Sequence, residues 1–159
     1  MKRNLLYSIL IVTTLVPSLS CMAQDPKIHA YSRAKTSGIP GDHSLPTDYF
    51  LYLEVPKGMR PSLSTIWLKG KYYSATLLKV NTPVLIDNDV ASIKKHKDTL
   101  VRKTAGDVYR IELGQEVTTG NFTAGSTEGL DVVANVKINN KQYKESIKNI
   151  ITLKPLQGM

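Results

Sequence analysis

Between residues 131 and 153, apolar and polar side chains alternate on both sides of Asn139-Asn140. A period of two marks a strand with one face in a core and one in water. Asparagine tolerates positive φ, which a two-residue type I′ turn needs at both central positions. The pattern therefore predicts a hairpin pairing Ile138 with Lys141, Val136 with Tyr143, Ala134 with Glu145 and Val132 with Ile147. Val132, Ala134, Val136, Ile138, Tyr143, Ile147, Ile151 and Leu153 would share the core face. Asn135, Lys137, Gln142, Lys144, Ser146 and Lys148 would face water. Glu145 is the one charge on the core side, which predicts an edge position or a slip in register.

A second hairpin is predicted over residues 64–78, turning at Lys69-Gly70 and pairing Leu68 with Lys71, Trp67 with Tyr72 and Ile66 with Tyr73. Ile66, Leu68, Tyr73, Ala75 and Leu77 form one face; Thr65, Trp67, Tyr72 and Ser74 form the other. Gly70 supports a tight turn, while Lys69 leaves its type open. Residues 48–55 alternate, with Tyr49, Leu51, Leu53 and Val55 on one side and Phe50, Tyr52 and Glu54 on the other, and Pro56 and Gly58 end the run. Residues 108–113 turn Tyr109, Ile111 and Leu113 inward. Weaker strand patterns cover residues 27–33, 83–86 and 99–104. Residues 36–47, 87–98 and 118–129 read as loops, the middle one with room for a helical turn. No segment keeps a 3.6-residue period over three turns.

Short strands at this spacing predict an all-β domain: an immunoglobulin-like or fibronectin-like antiparallel two-sheet sandwich of about seven strands. Trp67, on a mid-chain strand, suits the core tryptophan that such sandwiches bury. The likeness is one of architecture and lends no functional residues.

The N terminus changes the picture. Lys2 and Arg3 precede an apolar run over residues 5–16, and Pro17 breaks it. Ser18-Leu19-Ser20-Cys21-Met22-Ala23-Gln24 follows. This is the layout of a bacterial secretory signal over residues 1–23, cut between Ala23 and Gln24. The alternative is lipidation at Cys21, for which Ser20 is suitable but Ser18 stands where a leucine-like residue is usual. The run holds about a dozen residues against the roughly 20 of a bilayer-spanning helix, so the mature protein is expected to have no transmembrane span. The expected location is the periplasm or cell surface of a Gram-negative bacterium. Residues 24–159 are long enough to bury one good core as a single domain. Cys21 is the only cysteine, so cleavage after Ala23 removes disulfides, thiolate nucleophiles and cysteine metal sites from consideration.

Charge adds little direction. Removing Lys2 and Arg3 leaves 19 basic against 13 acidic residues, a net charge near +6. An anionic surface or glycan would be attracted. Nucleic acid is not expected as a partner, since the chain is exported and carries no recognition motif.

Candidate chemistry is thin. Asp42-His43-Ser44 holds the residue types of a hydrolase triad, but neighbours in the chain cannot converge into one relay, and no Gly-x-Ser-x-Gly elbow supports it. His29, His43 and His96 are far apart, and no metal-ligand spacing occurs. Asp87-Asn88-Asp89 lacks the glycine and later glutamate of a calcium loop. Residues 120–127 follow a phosphate loop only superficially, because Ser126 stands where its lysine should be. Asn121-Phe122-Thr123 matches a glycosylation acceptor, a short pattern that recurs by chance. Neither an enzyme nor a cofactor is expected, and no catalytic or metal residue is nominated.

Two surface features remain. Lys137, Lys144 and Lys148, with Lys141 at the turn, form a basic set that either meets an acidic partner or blunts edge pairing. Phe50 with Tyr52, and Trp67 with Tyr72, are contact surfaces if exposed and core if both faces of their strands are covered. The expected function is a non-catalytic module binding an unidentified envelope protein. The alternatives are a carbohydrate-binding or glycan-active protein using Trp67 and Tyr72, and a structural subunit exchanging its terminal strand in a surface assembly.

Overall fold

The computed structural model describes residues 25–35, 47–87, 97–118 and 127–155. These are all-β: the strands are β1 (Lys27–Ala34), β2 (Thr47–Val55), β3 (Pro61–Ser62), β4 (Thr65–Leu68), β5 (Lys71–Val80), β6 (Val84–Asp87), β7 (Lys97–Val101), β8 (Asp107–Val117), β9 (Val132–Ile138), β10 (Lys141–Ile147) and β11 (Ile151–Thr152). One nine-stranded sheet runs β10-β9-β4-β5-β8-β2-β1-β11, with β3 also on β9, and β6 and β7 form a separate ribbon.

Both predicted hairpins form in the predicted register. Ile138, Val136, Ala134 and Val132 face Lys141, Tyr143, Glu145 and Ile147. Leu68, Trp67 and Ile66 face Lys71, Tyr72 and Tyr73. Asn139 and Asn140 have φ of 48° and 65°, the signs of a type I′ turn. Lys69 and Gly70, at 47° and 92°, have the same signs. The twist of the flanking strands favours this turn even with lysine in the first position.

Four expectations need correction. The chain has eleven described strands rather than about seven. The sheet is mixed, because β11 runs parallel to β1, with Tyr31 opposite Ile151. Ile151 and Leu153 do not continue the core face of β10. The chain breaks after Ile147 and crosses to the opposite edge, leaving Ile151 58% exposed and Leu153 in a second cluster. Trp67 is not a core tryptophan: Ile66 and Leu68 take the inward side of β4, and Trp67 points the other way.

The route of the chain explains the shape of the sheet. β10 and β11 are its two edges, yet only residues 148–150 separate them in the chain. Four residue steps reach at most about 14 Å, so the sheet must coil until its edges come close. β1 indeed lies beside β10. The two halves then face each other across one core, as the layers of a sandwich do. That core draws Ile28 and Ala30 from β1, Leu51, Leu53 and Val55 from β2, Ile111 from β8, Ile66 and Leu68 from β4, and Val132, Ala134, Val136 and Ile138 from β9. Burying each large aliphatic side chain contributes about 1.5–3 kcal/mol.

A second apolar layer lies on the outer face of β1, β2 and β8, where the β6–β7 ribbon packs. Tyr52, Val108, Leu100 and Val101 are buried there, with Tyr31, Phe50, Val80, Val84 and Ile86 against them. β2 is thus covered on both faces, and Phe50 and Tyr52 belong to the core. Arg33, 3% exposed, lies under the ribbon; its guanidinium donates to the Asp87 carbonyl at 3.0 Å and sits 5.8 Å from the centre of the Phe50 ring.

Candidate functional site

The outer face of β10, β9, β4 and β5 contributes no large aromatic to either core cluster. Register fixes what it displays. Gln142 lies opposite Lys137, which lies opposite Ser62. Lys144 lies opposite Asn135, and Thr65 opposite Ser74. Ser146, Val133, Trp67, Tyr72 and Val117 form the next row across five strands. Lys137 and Lys144 are exposed, and Trp67 and Tyr72 half-buried. Trp67 covers the fully buried Val133 of its row, and its Nε1 donates to the Leu130 carbonyl at 3.4 Å. The Trp67 and Tyr72 rings meet edge to face, with centroids 4.7 Å apart and planes 61° apart. Beside them a shallow cleft of about 230 Å³ opens between residues 62–65 and Asn135, Lys137 and Gln142.

Of the four lysines nominated from the sequence, this face joins two. Lys141 falls on the opposite parity, with its ammonium 4.8 Å from the centre of the Tyr143 ring. Lys148 is exposed in the link between β10 and β11. The aromatic pair, which the sequence treats as a separate feature, lies on the same face as Lys137 and Lys144. Only the β4–β9 pairing brings the two hairpins together, and no local pattern encodes it.

No protein-family model, no curated protein and no solved structure matches the chain.

Sequence reasoning passed over a second site. On the outer face of β1 and β2, His29 Nε2 donates to Glu54 Oε2 at 3.0 Å, and the Thr104 hydroxyl donates to Glu54 Oε1. The Gly106 amide donates in turn to the Thr104 hydroxyl oxygen at 3.2 Å. Burial pushes the Glu54 carboxyl up, but the bonds from Thr104 and His29 and the charges of His29 and Lys27 outweigh it and hold it below the usual range. These groups line a cleft of about 570 Å³ with Lys27, Tyr31, Arg102 and Lys103. The Tyr31 hydroxyl donates to the Leu100 carbonyl, tying β1 to β7. The Thr104 hydroxyl is bonded to the carboxylate rather than to the imidazole. Alternation along β1 puts Lys27, His29 and Tyr31 on one side, but their partners arrive from residues 54 and 99–104, beyond any local signal.

Among the described residues, no group of three or more His, Cys, Asp or Glu is placed to hold a metal ion. No helix among them is long and apolar enough to cross a membrane. Cys21, Ala23, Gln24, Asp42-His43-Ser44, Asn88-Asp89 and residues 120–126 lie outside the described residues.

Proposed function

We propose that the protein is an exported, non-catalytic β-sandwich module of the bacterial cell envelope that binds another envelope protein through the outer face of β10, β9, β4 and β5. The reading rests on one observation: Trp67, Tyr72, Lys137 and Lys144 share that face, outside both cores. Tyr and Trp are enriched at the centres of protein-binding patches, and rim charges such as Lys137 and Lys144 would steer the encounter with an oppositely charged partner. The expected partner presents an acidic surface.

An immunoglobulin-like class is part of the proposal and draws support from strand order. With β3, β6, β7 and β11 set aside, seven strands remain. The first, second, fifth and fourth (β1-β2-β8-β5) adjoin in one half of the sheet, and the third, sixth and seventh (β4-β9-β10) in the other. That grouping is the one used by constant-type immunoglobulin sandwiches. Here hydrogen bonds between β4 and β5 join the halves.

The test is capture from envelope extract at low salt, with wild type beside Lys137→Glu/Lys144→Glu and Trp67→Ala. A partner recovered by wild type and lost by both variants supports the proposal. Recovery of nothing above background, or equal recovery by all three proteins, refutes it. Export has its own test: the mass of the mature N terminus distinguishes a chain starting at Gln24 from one carrying lipid on Cys21. The glycan alternative draws less support from the geometry, because rings 61° apart do not form one flat stacking platform.

A further inference from the structure

We propose that the cleft between β1, β2 and the exit of β7 binds a small dianion, such as a phosphate monoester or a dicarboxylate. This inference does not depend on the protein-contact reading, since the cleft lies on the other half of the sheet.

Charge and shape both favour an anion. The cleft of about 570 Å³ is within the roughly 300–1,000 Å³ of small-molecule sites. Its one acid is Glu54, and both oxygens of that carboxylate are engaged, Oε2 by His29 and Oε1 by Thr104. Lys27 stands opposite Glu54 in the β1–β2 register, close enough for its charge to act on that carboxylate. Glu54 and Lys27 therefore offset each other. Arg102 and Lys103 are left over: both are exposed, both line the cleft, and neither forms an ion pair with a carboxylate among the described residues. The cleft thus carries a surplus of two positive charges, and one more when His29 is protonated.

Arg102 and Lys103 both line this concave space, and a bound dianion would offset their surplus charge. The guanidinium fork of Arg102 matches a carboxylate or phosphate edge with two parallel bonds, and Lys103 adds a point charge beside it. The backbone behind them is fixed. Leu100 and Val101 are buried in the second core, and Thr104 is bonded to Glu54. The two cations are therefore carried on a short segment anchored at both ends.

The experiment is isothermal titration of the purified protein with inorganic phosphate, malonate and acetate in about 150 mM salt, where long-range surface attraction is screened. Saturable one-to-one binding of either dianion, with acetate at least about tenfold weaker, is expected. Arg102→Ala/Lys103→Ala should weaken that binding at least about tenfold. Lys35→Ala/Lys148→Ala removes the same formal charge elsewhere and should change it less than about twofold. Thermal unfolding of each variant verifies that it is folded. The proposal is overturned if neither dianion saturates below about 10 mM, or if both variant pairs weaken binding equally. Phosphate binding without malonate binding, or the reverse, would identify which dianion the cleft prefers.

Discussion

At the scale of single residues, two glycines are needed for different reasons. A Cβ at Gly106 would lie 2.5 Å from the Val55 carbonyl oxygen, a backbone atom paired into the sheet. Gly58 has open space around it but a φ of 80°, where an L-residue is strained. Gly106→Ala is expected to cost about 1–3 kcal/mol through overpacking, and Gly58→Ala about 1–2 kcal/mol through backbone strain. Urea denaturation measures both, and only the Gly106 variant should also perturb the β2–β8 amide signals. Asp131 is a second kind of key residue. Its carboxylate accepts from Lys69 Nζ at 2.7 Å and from the Ile150 amide at 2.9 Å, and its backbone bonds both Lys69 and Ile147. The Lys69 bond, aided by the Ile150 amide, holds the carboxyl below the usual aspartate value. A depressed native value means stability that is present above the unfolded pKa of about 3.9 and is lost as pH falls through the native value. Asp131→Asn should cost about 1–2 kcal/mol at neutral pH. That deficit should shrink as the pH is lowered toward the native value, a trend that denaturation at several pH values would reveal.

At the scale of elements, alternation exposes most strands but misses those whose phase is broken. β8 runs on to Val117, four residues past its predicted end, because a bulge between Tyr73 and Ala75 shifts the register. Gly114 lies at this bulge: a Cβ there would run into the Ser74 hydroxyl oxygen, which donates to the Gln115 carbonyl at 3.3 Å. Past that point Gly-Gln-Glu-Val carries no readable alternation. The obstructing atom ends a side chain that can rotate, so Gly114→Ala should cost only about 1 kcal/mol. Adding Ser74→Ala should recover part of that loss, and a double-mutant cycle measures the coupling. β3 is too short to display a period, and Ile151 of β11 keeps the parity of β10, so the local pattern reads β11 as that strand's continuation. The weak patterns over 83–86 and 99–104 became the β6–β7 ribbon, which ends at Val101. Arg102 and Lys103 are exposed beyond it, and that exit builds the rim of the cationic cleft.

At the scale of the whole molecule, the ribbon covers one outer face and leaves the other open. Leu100 is central to its docking, among Tyr52, Val101 and Val108. Leu100→Ala should destabilise the protein by about 2–5 kcal/mol. Hydrogen exchange should quicken first in β6 and β7, while β9 and β10 stay protected; uniform acceleration would show instead that the ribbon and sheet unfold as one unit. Covering one face buried Phe50 and Tyr52, and leaving the other bare put Trp67 and Tyr72 beside Lys137 and Lys144. The chain's own letters already specified the all-β class, the two tight turns and the parity of nearly every side chain in both hairpins. Those features depend on steric preferences and on a two-residue repeat, which act between near neighbours. Which hairpin lies beside which, how the terminal strand crosses to the far edge, and how residues 29, 54 and 104 meet were legible only in the folded chain. Such meetings are chosen by the burial of a shared core and by long-range backbone pairing, and neither leaves a mark on any one stretch of sequence.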